Sequence, residues 1–242
     1  MTDDDRASEM MITDPPPPAR VLALDTSTVV TVGVARGREV LAVGTVEDRM
    51  SHAEQLMPLV DRCLTAARLR PADIDALVVG LGPGPFTGLR VGIVTAQVLS
   101  SVLRRPLHGV CSLDVIAADH ALHRAAEEGG GRDQAGDFLA VSDARRREVY
   151  WARYTAAGVR VGPPQVGAPD TLPELPVVGP GAALCAGHHQ PTGSPDRLDP
   201  GVLATRGLQL PEAGREPLYL RRPDAVVSTR PKSVLHFHEG RR

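Results

Sequence analysis

The chain has 242 residues, enough for one large domain or two small ones around a sizeable core. Apolar residues make up 42% and charged residues 23%, and 29 acidic side chains against 27 basic ones leave a formal net charge of −2. That balance argues against a protein that grips nucleic acid unaided, which shows a basic excess, and the acidic start Met1-Thr-Asp-Asp-Asp5 argues against a signal peptide.

Residues 1–20 are acidic and end in Pro15–Pro18 before Ala19 and Arg20, which reads as a disordered tail. The core begins with the apolar run Val21–Asp25, a buried strand. Thr28–Ala35 and Glu39–Val46 are β-rich and flank Arg36-Gly37-Arg38, as hairpin partners do. A helix over Ser51–Arg68 follows, with Ser51 and Glu54 spaced as a capping box. Its Leu56, Leu59, Val60, Cys63, Leu64 and Ala67 recur as one apolar stripe. Asp75–Leu81 is the next buried strand. A glycine-rich loop then leads into a helix from Thr87, its expected N-cap, to about Leu103. Within it, Val91–Leu103 is the longest weakly polar run, too short to span a bilayer. Leu107–Val110 closes a first lobe of residues 21–109.

The second lobe, residues 110–222, opens with a helix over Ser112–Arg124 that Ser112 caps. The strands Phe138–Ser142 and Glu148–Thr155 follow, joined by Asp143-Ala-Arg-Arg-Arg147. From 158 to 217 the chain is rich in Pro and Gly. A short strand and turn at Pro176–Gly181 and a short helix over Leu198–Leu210 are the only elements expected there. Residues 223–242 read as a flexible basic tail. Cys63, Cys111 and Cys185 are an odd number without metal-ligand spacing, so they read as reduced core thiols of a cytoplasmic protein.

The stretch Gly80-Leu-Gly-Pro-Gly-Pro-Phe-Thr-Gly-Leu-Arg90 carries the most information. Gly82, Gly84, Phe86, Thr87, Gly88 and Arg90 sit where a glycine loop feeds a helix N-terminus, an arrangement suited to anions. The spacing matches neither the P-loop nor the dinucleotide fingerprint, and a tight turn explains the glycines equally well. In the helix, Gly88, Gly92, Ala96 and Ser100 recur every four residues and form a ridge of small side chains. The other sides are apolar too, so burial on more than one face is required, within the domain or at a subunit interface.

These blocks give a specific resemblance. Val21–Thr28, Ser51-His-Ala-Glu-Gln-Leu-Met-Pro58, Gly80–Arg90, Val141–Trp151 and Pro217-Leu-Tyr-Leu-Arg-Arg-Pro223 resemble the TsaB (YeaZ) family across about residues 21–224. The resemblance implies an α/β, actin/Hsp70-like (ribonuclease H-like) fold in two lobes, with mixed sheets flanked by helices. It makes Asp25, Thr26 and Ser27 a degenerate phosphate loop. It implies a non-catalytic subunit of the machinery that forms N6-threonylcarbamoyladenosine in tRNAs reading ANN codons. The partner it implies is the catalytic paralogue TsaD, in a heterodimer through the two first-lobe helices. Leu56, Leu59, Val60 and Cys63 would then join Gly88, Gly92, Ala96 and Ser100 in the interface. TsaE, TsaC and tRNA follow indirectly, and a homodimer forms when the chain is alone. No cofactor of its own is implied, while a nucleotide at the partner interface stays open.

Residue by residue, the catalytic features are missing. Ser112 and Ile116 stand where TsaD-like chains carry a metal-binding histidine pair, and neither can hold a transition metal there. Asp143 is followed by Ala144 and three arginines where an actin-like second phosphate loop has glycines, a bulk that would obstruct a phosphate cradle. His120 with His123, and His188 with His189, read as packing or surface residues, and Tyr150 and Trp151 as packing. Two rival functions remain: a divergent actin-like ATPase or carbamoyltransferase active by itself, and a peptidase, for which no nucleophile with a base can be placed.

Overall fold

An apolar run that must be buried on both sides becomes a central strand, and Val21–Asp25 does so. The computed structural model describes residues 18–47, 52–127 and 136–221. In chain order its strands and α-helices are β1 Arg20–Asp25, β2 Val30–Arg36, β3 Glu39–Val46, α1 His52–Ala66, β4 Ala76–Gly80, α2 Phe86–Leu103, β5 Leu107–Val110, α3 Ser112–Glu127, β6 Phe138–Asp143, β7 Val149–Tyr154, β8 Arg160–Gly167, β9 Val177–Val178 and α4 Pro200–Arg206. The first sheet has the order β3-β2-β1-β4-β5. Its hairpin strands are antiparallel, and the strands reached through helical crossovers, β4 and β5, are parallel to β1. The second sheet has the order β8-β7-β6-β9, with only β9 parallel to its neighbour.

The alternation of β1 divides the core. Leu22 and Leu24 face Leu56, Leu59, Val60 and Cys63 of α1 and Leu89, Ile93 and Ala96 of α2. Val21 and Ala23 face the other way, into a cluster with Leu113 and Ile116 of α3, Leu203 and Ala204 of α4, and Phe138, Ala152 and Tyr154 of the second sheet. One core therefore runs through both lobes. A third cluster, with Leu139, Val141, Val149 and Cys185, covers the outer face of the second sheet. The chain returns to the first sheet near its end: α4 packs on β1, β2 and β3, and Leu218 N–H donates to Leu81 O.

Several boundaries differ from the sequence expectation for physical reasons. The second strand starts at Val30 instead of Thr28, because Ser27 donates both its N–H and its hydroxyl to Asp25 and bends the chain. The second helix starts at Phe86, with Pro85 at the cap position and no side-chain cap, so Thr87 is not the N-cap. Ser112 is not a side-chain cap either. It is the first residue of α3, and its hydroxyl is committed to Asp25. Strand β8 was not expected, since Pro163 and Pro164 break the strand pattern. It forms at the open edge of its sheet, beyond an irregularity at Trp151/Arg153, where missing N–H donors cost little. The expected Ser51 cap, most of the acidic N-terminal tail and the basic C-terminal tail lie outside the described residues.

Candidate functional site

Asp25 ends β1 with no exposed surface. Its Oδ1 accepts from Ser27 N at 2.7 Å and Ser27 Oγ at 2.6 Å, and its Oδ2 accepts from Ser112 Oγ at 2.5 Å. A Cβ on Gly80 would lie 1.7 Å from Oδ2, so only glycine fits there. Burial pushes the Asp25 carboxyl above its usual range, while the three hydrogen bonds pull the other way. Thr26 Oγ1 donates to Gly88 O at 2.8 Å, which locks the loop onto the first turn of α2. A carboxylate able to hold a metal-bound phosphate must be reachable, and this one is sealed. The paired metal position of TsaD-like chains fits no better: the Ser112 hydroxyl is spent between Asp25 and Gly82 N–H, and Ile116 is buried in the shared core. These residues do not fit a metal.

The glycine loop meets the second lobe at a cleft of about 270 Å³. Gly84 and Phe86 line it together with Arg145, Tyr150 and Tyr219. Phe86 stacks on Tyr219 with ring centroids 4.8 Å apart. The Arg90 guanidinium lies 3.8 Å over the Phe86 ring, and Arg90 Nε donates to Tyr219 Oη at 2.9 Å. Tyr219 thus ties the segment Pro217–Arg221 to the glycine loop, a role that the sequence did not signal. Arg145, Arg146 and Arg147 all have left-handed backbone, with φ of 62°, 55° and 63°. Such a run costs about 1–2 kcal/mol per residue. It is held by Arg145 N–H donating to Asp143 Oδ1 at 2.7 Å and by Ala144 N–H donating to Glu148 O. Glu148 also pairs with Arg221.

The expected partner surface is corrected by burial. Leu56, Leu59, Val60 and Cys63 are 1–4% exposed and face β2 and β3, so they offer nothing to a partner. Gly88, Gly92 and Ala96 also face inward. A Cβ on Gly92 would lie 2.2 Å from Thr26 Oγ1, so the small-residue ridge exists to admit the Asp25–Ser27 loop, not a second subunit. Ser100 Oγ donates to Arg105 O at the end of the helix. The outward face of α2 is different: Val94, Val98 and Val102, four residues apart, are 54%, 55% and 72% exposed. By length and composition alone, the 18 residues Phe86–Leu103 are apolar enough to cross a membrane, since the helix starts five residues before the run counted in the sequence. Its Leu89, Ile93 and Ala96 are nevertheless committed to the first-lobe core.

The remaining candidates are placed as follows. His120 is buried with its ring edge against Phe138, and His123 pairs with Asp119 on the same helix. His188 lies between the carbonyls of Leu175 and Pro169. Tyr150 is buried in the cleft wall and Trp151 packs against the outer cluster. All three cysteines are buried and free, and burial pushes the Cys111 thiol up to about 12. Among the described residues no three His, Cys, Asp or Glu side chains gather as a metal site.

Comparison with known proteins bears on this arrangement. A family model described as TsaD, tRNA N6-adenosine threonylcarbamoyltransferase, matches residues 47–184. The tRNA threonylcarbamoyladenosine biosynthesis protein TsaB of Bacillus subtilis is 35% identical over 136 residues, 55% of this chain and 54% of that protein. That of Escherichia coli is 37% identical over 141 residues, 56% of this chain and 54% of its own length. The solved structure of YeaZ from Pseudomonas aeruginosa superposes with a TM-score of 0.63 at 27% identity, over 84% of this chain and 100% of that one. The chain belongs to the TsaB (YeaZ) family. Its fold is accordingly the actin-like α/β fold that the resemblance implied. An uncharacterized protein of Mycobacterium tuberculosis H37Rv is 44% identical over 214 residues, 85% of this chain and 93% of that protein, so this form of TsaB-like chain has near full-length relatives. The B. subtilis and E. coli alignments each cover about half of the relative.

Proposed function

We propose that the chain is the non-catalytic, cytoplasmic scaffold subunit of the assembly that forms N6-threonylcarbamoyladenosine in tRNA, and that it acts by pairing with TsaD. The observation that carries the reading is the outward face of α2. Three valines stand exposed at four-residue spacing on an 18-residue helix whose other side is fixed in the core. Such a face favours burial against another helix. The TsaD family model matches residues 47–184, which include this helix, so a TsaD chain that presents a similar helix is the partner this reading assigns. In this reading the interface is Val94, Val98 and Val102, and the ridge behind them keeps the helix rigid by seating Thr26. The sealed Asp25 supports a subunit that performs no phosphate chemistry of its own, against the ATPase rival. TsaE, TsaC and tRNA are then reached through TsaD, and the same valines pair two copies when TsaD is absent.

The test is co-purification with the cognate TsaD and TsaE, followed by a tRNA modification assay with this subunit omitted. Loss of threonylcarbamoyladenosine on omission, restored by adding the chain back, is the expected result. Full modification without it, or ATP turnover by the isolated chain, overturns the reading.

A further inference from the structure

Between α3, the β7–β8 turn and the segment after α4 lies a groove of about 580 Å³, a size that suits small-molecule sites. Its apolar lining is Ala118, Leu122 and Ala125 on α3, Val159 on the turn, and Leu210 beyond α4. Leu122 and Val159 are 36% and 62% exposed, so this lining is open to a ligand.

Three guanidinium groups and one carboxylate line the same groove: Arg124, Arg160 and Arg206 against Asp114. The carboxylate is out of a ligand's reach. Asp114 is 2% exposed, and its Oδ1 accepts from Tyr154 Oη at 2.7 Å and lies 3.3 Å from Arg160 Nη1. Asp114 and Arg160 thus answer each other, and the groove is left positive. Arg206 is half-buried, and its Nη1 donates to the neutral Gln209 Oε1 at 3.4 Å. No carboxylate pairs with it among the described residues. Arg124 adds a second positive charge, which helps to hold His120 below its usual range.

Arg206 and Arg124 stand in the last turns of α4 and α3, where a cation suits the helix dipole. Two helix ends therefore bring positive side chains to one apolar groove. A cationic ligand would be repelled there, and a neutral one would leave Arg206 without a counter-charge. An anion with an apolar body answers the walls and the charge together. The guanidinium offers a planar fork of donors, which matches a carboxylate.

We propose that this groove binds a small organic carboxylate with an apolar body, its carboxylate on Arg206 and its body along Leu122, Val159 and Leu210. The site is independent of the α2 face and of the reading given above.

Octanoate and 1-octanol test it, since they share a chain length and differ in charge at neutral pH. Both are titrated into the full chain and followed by saturation-transfer NMR. Octanoate should bind about tenfold more tightly, the worth of a charge-assisted hydrogen bond. Arg206→Gln removes the charge and should bring octanoate down to the affinity of octanol, while Arg206→Lys keeps the charge without the fork and should retain part of the difference. Leu122→Asp, at an exposed position, sets a carboxylate into the wall and should weaken both probes, octanoate more. Octanoate no tighter than octanol, octanoate binding untouched by Arg206→Gln or by Leu122→Asp, or no saturable octanoate binding overturns the proposal.

Discussion

The hydroxyl of Ser112 donates to Oδ2 of Asp25 at 2.5 Å, joining the first residue of α3 to the last residue of β1. The same hydroxyl accepts from Gly82 N–H at 3.1 Å, so one oxygen links the first strand, the glycine loop and the helix between the sheets. Ser112→Ala should strand a buried carboxylate oxygen and a buried N–H, costing about 1–3 kcal/mol. Asp25→Ala should cost more, since the Ser27 and Ser112 hydroxyls both lose their acceptor. Urea unfolding of the two variants checks the order. A silent Ser112→Ala would mean that the loop is not sealed in solution.

Gly92→Ala is expected to unsettle the chain itself. The added Cβ meets the Thr26 side chain at 2.2 Å, too close for any real contact, and displaces the bond from Thr26 to Gly88 O. A loss of about 2 kcal/mol or more in the isolated chain is the expected outcome, as overpacking of a tight core gives. Thr26→Ser removes the methyl but keeps the hydroxyl, so it should not rescue the variant; Thr26→Gly should do so in part. Thermal melts of the single and double variants decide this.

Two neighbours on α3 should contribute to the acid response of stability with opposite sign and partly cancel. Burial, aided by Arg124 and His123, holds His120 down at about 4. Its contribution is present above 6.5, the value of a free histidine, and is lost as pH falls from there toward 4. Burial and then Asp199 raise Asp119 to about 6. Its penalty is present above 6 and is relieved as pH falls through that value toward 4. Each effect is on the order of 2 kcal/mol, with opposite sign. Relative to the unaltered chain, Asp119→Asn should steepen the loss of Tm between pH 6.5 and 4, and His120→Leu should reduce it. Parallel pH profiles in all three proteins would refute the assignment.

Much of this architecture was written in local patterns. The run Val21–Asp25, the stripe from Leu56 to Cys63 and the glycine loop each carry their own period or turn chemistry, so strand, helix and crossover could be read directly. The edge strand β8 could not, because its prolines resemble a loop and only its position at the sheet edge makes them tolerable. At the site, residue types were legible but directions were not. A small-residue ridge looks the same in sequence whether it admits a partner helix or, as here, the side chain of Thr26. The stack of Tyr219 on Phe86 joins residues more than a hundred positions apart, and no local period announces such a contact.

The direction of α2 decides where a partner can bind. Val94, Val98 and Val102 are more than half exposed and stand outside the core cluster that holds Leu89, Ile93 and Ala96 among the described residues, so Val98→Asp should leave the isolated chain within about 0.5 kcal/mol of its original stability. Against TsaD the same change would bury an unpaired carboxylate at the centre of an apolar contact, a cost of several kcal/mol. Pull-down with TsaD should therefore fail for Val98→Asp while the melting temperature stays nearly unchanged. A second substitution, Met57→Asp, probes α1 at an exposed site, 46% accessible, and should weaken binding only if both helices reach the partner. Retention of TsaD by Val98→Asp would exclude the outward face of α2. With the inward ridge already filled by Thr26, the partner surface would then have to lie off this helix altogether.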